Sequence, residues 1–245
     1  MPRLLVLWDV DNTLVDSGGI GRDLYRAVFG EMFGRPMPQP ASMSGRTDRA
    51  IAIEVLTLAG VPEPRRVAEE FHMLMAARAP GLATERVRAL PGAALAVAAL
   101  AGLRAVPGVA DSDAALSVVQ SLLTGNIRPL AEVKIGPVGL SDHLDLDAGA
   151  YGNAHEERSQ LVHLARINAA RIHGGSFGGA STVLVGDTPL DVAAALATGA
   201  RAVGVATGEF TAAKLADCGA HAVLPDLADT DRVLAAILPA RADLR

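Results

Sequence analysis

The sequence predicts an α/β fold, a parallel-sheet core with a small α-helical domain inserted after its first strand. Three observations carry that prediction. Short apolar runs recur along the chain, separated by helical patterns, and each suits a strand buried on both faces. Three of these runs end directly in small polar or acidic residues, at Asp9, Thr124 and Gly186-Asp187. Between the first two of the runs lies a long stretch, 16–90, that carries helical patterns and no strand pattern.

Residues 4–7 are the first strand, and Trp8-Asp9 closes it, which places Asp9 at the carboxyl end of the sheet, where open α/β folds bind ligands. Gly18, Gly19 and Gly21 then loosen the chain. Helical patterns follow at 22–34, 47–60 and 63–79, separated by Pro36, Pro38 and Pro40 and by Gly60-Val61-Pro62. The α/β pattern resumes at Pro91-Gly92, so residues 1–15 and 91–245 are expected to form the core and 16–90 a helical cap. Further strands are expected at 116–123, 181–185, 201–206 and 221–224, with helices at 128–139 and 156–173. Strands alternating with helices imply right-handed βαβ units. The segment 143–151 is open between a loop and a short strand. The glycines at 174–179 precede a strand instead of following one, so they are no dinucleotide fingerprint and read as a flexible connection. The stretch around 101–115, with Pro107-Gly108 and Asp111-Ser112-Asp113, reads as an inserted loop.

Composition excludes several classes. Half of the 245 residues are hydrophobic and 20% are charged, which suits a folded core and excludes global disorder. A net charge of −5 without runs of Lys or Arg argues against nucleic-acid binding. The apolar run before Asp9 is too short for a signal-peptide core, and no stretch reaches the ~18 apolar residues of a membrane span. A cytoplasmic protein is therefore expected, with monomer and homodimer both open. The lone Cys218 allows no intrachain disulfide and no cysteine zinc site.

Three constellations carry chemistry. In Asp9-Val10-Asp11-Asn12-Thr13 one carboxylate can attack phosphorus while the other handles the proton of the leaving group. Thr124-Gly125-Asn126 offers a hydroxyl and backbone N–H groups to phosphate oxygens, or simply caps the next helix. In Gly186-Asp187-Thr188-Pro189-Leu190-Asp191, Asp187 can ligate a hard cation and Asp191 can orient it or its water; alternatively both acids serve a helix start. Each motif alone is ordinary. All three after apolar strands, in this order and on one sheet edge, are not.

At these residues the chain resembles the haloacid dehalogenase-like hydrolases, in the branch with a helical cap after the first strand of a Rossmann-like core. Residues 9–17 are similar to the family's first motif throughout, Thr124 to its second, and Asp187 and Asp191 to its fourth. The resemblance implies that Asp9 is the nucleophile and Asp11 the general acid/base. It also implies Mg²⁺ held by the Asp9 carboxylate, the Asp11 main-chain carbonyl and Asp187, with Asp191 behind it, and a phosphoryl group bound by Thr124 and the amides of Gly125 or Asn126. The family's basic third motif has two candidates, Arg158 and Lys134. In the cap, Ser44-Gly45-Arg46-Thr47-Asp48 resembles the loop that meets substrate, with Arg46 suited to a carboxylate or phosphate. Asp11 argues against dehalogenation, because dehalogenases of the family lack that acid. The activity implied is phosphoglycolate phosphatase-like hydrolysis of a small phosphorylated metabolite. A phosphomutase resembling β-phosphoglucomutase, and a non-catalytic phosphate-binding regulator, are the alternatives.

Overall fold

The computed structural model describes residues 3–103 and 116–238, so most of the loop expected at 101–115 lies outside the described residues. The core is a six-stranded, wholly parallel sheet in the order β5-β4-β1-β6-β7-β8. Its strands are β1 (Arg3–Trp8), β4 (Ser117–Thr124), β5 (Ala150–Tyr151), β6 (Thr182–Gly186), β7 (Arg201–Val205) and β8 (Ala222–Leu224). β1 lies inside the sheet, and its alternation feeds two cores at once. Leu4, Val6 and Trp8 enter one hydrophobic cluster, while Leu5 and Leu7 enter the other. Helices α4 (Ala93–Gly102), α5 (Arg128–Ile135) and α9 (Thr230–Ile237) cover the first face. Helices α6 (Arg158–His173), α7 (Pro189–Ala197) and α8 (Ala212–Asp217) cover the second.

Residues between β1 and α4 build a third core. Helices α1 (Ile20–Phe33), α2 (Asp48–Leu58) and α3 (Pro64–Arg78) pack around Leu24, Tyr25, Val28 and Phe29, spaced as one face of α1 requires. Ile127 and Leu130 of the sheet domain join this cluster, so the helical segment is seated on α5. The chain enters and leaves the segment through a two-residue antiparallel ribbon, β2 (Val15–Asp16) with β3 (Arg88–Ala89). The sequence shows no strand there because two residues are too few for any alternation.

The sequence-ambiguous 143–151 segment resolves into 3₁₀ turns, Ser141–His143 and Leu146–Ala148, followed by the short edge strand β5. Phe177 is wholly buried among the helix-facing core, and its carbonyl accepts from Thr182 Oγ1 at 2.6 Å. No helix among the described residues is long and apolar enough to cross a membrane.

Trp8, one residue before the first acid, is fully buried and needs a partner for its indole N–H. Its Nε1 donates to Gln120 Oε1 at 3.1 Å, and Gln120 Nε2 donates to Val97 O at 3.0 Å. Gln120→Leu leaves that indole N–H without an acceptor. The expected result is a loss of about 1–3 kcal/mol in urea-unfolding stability. An unchanged midpoint would contradict this account.

Candidate active site

Because β4, β1 and β6 are neighbours, their carboxyl ends set Thr124, Asp9 and Asp187 side by side. The backbone N–H of Asp9 still donates to Val185 O at 2.9 Å, so the ladder reaches one residue past the strand and fixes this carboxylate. Asp9, Asp187 and Asp191 are all buried, and ligand oxygens from the three lie within 4.8 Å of one another. Arg158, at the start of α6, bridges Asp9 and Asp191. Its Nη2 lies 2.6 Å from Asp9 Oδ1 and 2.7 Å from Asp191 Oδ1, and it donates to Leu123 O at 3.0 Å.

The charge balance here is uneven, with three buried carboxylates against one guanidinium. Burial, and then the neighbouring acids, push the Asp9 and Asp187 carboxyls well above the usual range. Burial works against the Arg158 charge, yet Asp191 and Asp9 hold it firmly protonated. A compact, all-oxygen cluster with excess negative charge suits a hard divalent cation.

Local sequence explains these positions. Thr188 N-caps α7 and Pro189 takes its first position, where the missing N–H costs nothing. Asp191 completes the capping box: its Oδ2 accepts from Thr188 N at 3.0 Å and from Thr188 Oγ1 at 2.7 Å. The other oxygen, Oδ1, is left for Arg158. Asp191 thus serves the helix start while its Oδ1 stays in the acidic cluster, and the N-cap is Thr188, not Asp187. Gly208 is required by proximity, since a Cβ there would stand 1.8 Å from Asp187 Oδ2.

Asp11 points into a separate polar group. Its carboxylate accepts from Lys134 Nζ at 2.6 and 2.8 Å, from Asn126 Nδ2 at 2.7 Å and from Ser17 Oγ at 2.8 Å. Burial would raise its pKa, but Lys134, Asn126 and Ser17 outweigh burial and hold it below the usual value. Asn126 also accepts from Lys134 through Oδ1 and donates to Thr124 Oγ1, both at 2.8 Å, which ties the second motif to this group. Gly21 makes room for it: a Cβ there would lie 3.2 Å from Lys134 Nζ. The two candidate bases thus sit at different acids, Arg158 at Asp9 and Lys134 at Asp11.

Of the three cap residues expected near substrate, Arg46, Thr47 and Asp48, all reach the core but none presents a free side chain. The Arg46 guanidinium turns back to Glu54 and to the carbonyls of Ser42, at 2.8 Å, and Ala50, at 3.3 Å. Thr47 Oγ1 caps α2 and donates to Glu156 O at 3.1 Å. Asp48 is buried against Tyr25 and Ile127. Between this segment, the first turns of α1 and the acidic cluster lies a cavity of about 730 Å³, with Asp9, Thr124, Arg158 and Asp187 in its wall. Sequence reasoning missed Ser17, Tyr25 and Thr188 as working parts. Ser17 could have been found as the last residue of the first motif; Tyr25 carries no local signal.

Residues 157–230 match the family model described as HAD-hydrolase-like. No curated protein sequence matches the chain significantly. Solved structures share its fold over nearly the whole length. A hydrolase from Pseudomonas syringae is 20% identical, with 97% of this chain and 100% of that one covered at a TM-score of 0.63. A protein from Clostridium acetobutylicum described as a predicted phosphatase is 13% identical, with 96% and 100% covered at 0.66. A HAD family hydrolase from Deinococcus radiodurans, solved with bound phosphate and sodium, is 23% identical, with 98% and 99% covered at 0.51. The chain therefore shares the fold of these solved proteins over nearly its whole length, and its residues 157–230 resemble a HAD-hydrolase-like domain.

Proposed function

We propose that the chain is a magnesium-dependent phosphatase, hydrolysing a small phosphorylated metabolite through an aspartyl-phosphate on Asp9. The observation that carries this reading is the buried Asp9–Asp187–Asp191 triangle, with Arg158 pairing Asp9 and Asp191, beside a cavity of substrate size whose wall includes Asp9, Arg158 and Asp187. Residues 16–90 act in this reading as the cap over that cavity, and 1–15 with 91–245 as the core.

Asp9 and Asp187 would hold Mg²⁺ with the Asp11 main-chain carbonyl, Asp191 supporting it through water. Bound there, the cation supplies the positive charge that lets an anionic carboxylate approach an anionic phosphate. Asp9 attacks phosphorus, and the bond to the leaving oxygen breaks. Arg158 lies beside the attacking oxygen and stabilises charge gathering on the phosphoryl oxygens. Thr124 and the Gly125 and Asn126 amides hold the remaining oxygens. Asp11 protonates the departing alkoxide, then takes the proton of the water that attacks phosphorus, and inorganic phosphate leaves with Asp9 restored. Held by Lys134, Asp11 rests in its ionised form, ready for the second half; the first half needs it protonated and turned towards the leaving oxygen.

The test is phosphate release across a panel of phosphoglycolate, sugar phosphates, nucleotides and pyrophosphate, with magnesium or with EDTA. The expected result is release from a small ester that EDTA abolishes. Transfer of the phosphoryl group between hydroxyls of one sugar, without release, would favour the mutase alternative. Release untouched by EDTA would remove magnesium from the scheme.

A further inference from the structure

The turn assigned above to phosphate, Thr124 to Asn126, runs into α5 at Ile127 and is tied to the helical segment. Ile127 N-caps α5 and has no side chain able to cap it. The backbone N–H of Ile127 itself finds its acceptor in the helical segment: Asp48 Oδ2 accepts from it at 2.7 Å. On the other side of the turn, the backbone N–H of Asp48 donates to Gly125 O, also at 2.7 Å. One residue therefore grips the turn at both a donor and an acceptor. Tyr25 OH lies 2.8 Å from Asp48 O and 3.0 Å from Oδ1, fixing the carboxylate from behind.

The surrounding packing allows no slack. Arg49 N donates to Gly152 O at 2.9 Å, and Gly152 N donates to Asn126 O at 2.8 Å. A Cβ on Gly125 would stand 2.0 Å from Arg46 O, and one on Gly152 would stand 1.7 Å from Gly125 O. Both glycines are present because backbone meets backbone there. Asp48 itself has no ion-pair partner among the described residues, and burial pushes its carboxyl up to about 6. Its two carboxylate oxygens are taken by the Ile127 N–H and the Tyr25 hydroxyl, and those two bonds fix its place.

We propose that Asp48 is a positioning residue that builds the phosphate-binding turn from outside the core, so that the turn has its working shape only while residues 45–48 are docked. This rests on the phosphatase reading, which assigns the turn to phosphate. Asp48 is then a part of the catalytic assembly that never touches the phosphoryl group.

The test compares wild type, Asp48→Ala and Asp48→Asn by calorimetric binding of inorganic phosphate with magnesium, and by amide hydrogen exchange over 124–128. Asp48→Ala is expected to weaken phosphate binding by about 10- to 100-fold, the usual effect of a small misplacement of binding groups, and to speed exchange at Gly125 and Ile127. Asp48→Asn is expected to stay close to wild type. Its carbonyl accepts from Ile127, and its amide can donate to Tyr25 Oη while Tyr25 donates to the main chain. If Asp48→Ala fails to fold, Asp48→Ser, whose oxygen is too short to reach Ile127, takes its place.

A folded Ala or Ser variant that binds phosphate as wild type does would overturn the proposal, leaving Asp48 a stability residue. Asn failing as badly as Ala would also overturn it, since the clamp needs an acceptor and not a charge. The expected binding pattern in a chain that turns over no ester would instead sink the phosphatase reading alone. A wild-type chain that binds no phosphate sinks both.

Discussion

Asp9→Asn is expected to lower magnesium-dependent hydrolysis of p-nitrophenyl phosphate by about 10⁴- to 10⁶-fold, the scale seen when a covalent nucleophile is removed. The amide is a poor nucleophile, and no other described carboxylate stands at the end of β1 facing the same cluster. The loss should not come from unfolding. Asp9 sits in a buried acidic cluster, and burial, with the repulsion of the neighbouring acids added, pushes its carboxyl and that of Asp187 upward. Removing one charge relieves it, while Arg158 keeps Asp191 as a partner. In EDTA the variant should melt at or above the wild-type temperature. Turnover that survives in a folded Asp9→Asn protein would end the aspartyl-phosphate mechanism.

Arg158→Ala is expected to damage both stability and activity. The guanidinium is the one cation within ion-pair distance of Asp9 and Asp191 among the described residues. Deleting it leaves buried charge uncompensated, a loss of about 3–5 kcal/mol measured without metal. Magnesium should recover part of that loss, because it supplies charge to the same oxygens. It should not recover kcat, expected to fall by about 10²- to 10³-fold, since charge on the transferring group is then poorly met. Arg158→Lys should fall between. One ammonium can replace Nη2 at Asp9, but cannot also reach Gly45 O, which Nη1 now holds at 3.2 Å. Equal activity of Ala and wild type would hand the third-motif role to Lys134.

What the sequence disclosed followed from how local each signal was. β1 and β6 are continuous apolar runs ending in acids, so their placement, and that of Asp9 and Asp187, could be read from a few adjacent residues. The two bases were named but not assigned, because Lys134 and Arg158 reach their acids across 123 and 149 residues of chain. The pairing of Arg46 with Glu54 was not legible because Glu54 lies two turns on along α2, where any acid looks like ordinary surface charge. Asp48 was expected at the substrate, and its side-chain bond to the Ile127 backbone joins two distant segments, which no local pattern records. The ribbon of β2 and β3 left no periodicity to detect.

Asp191 gives its two carboxylate oxygens to different structures, one to the first turn of α7 and one to the guanidinium of the site. A change that alters its electrostatic service also frays a helix, and a change that spares the helix must keep an acceptor of the same reach. Few substitutions meet both conditions. Divergence in this lineage would therefore meet resistance at the cation end of the cavity and far less along the exposed parts of the opposite wall, so new substrates would be acquired around a nearly fixed chemical step.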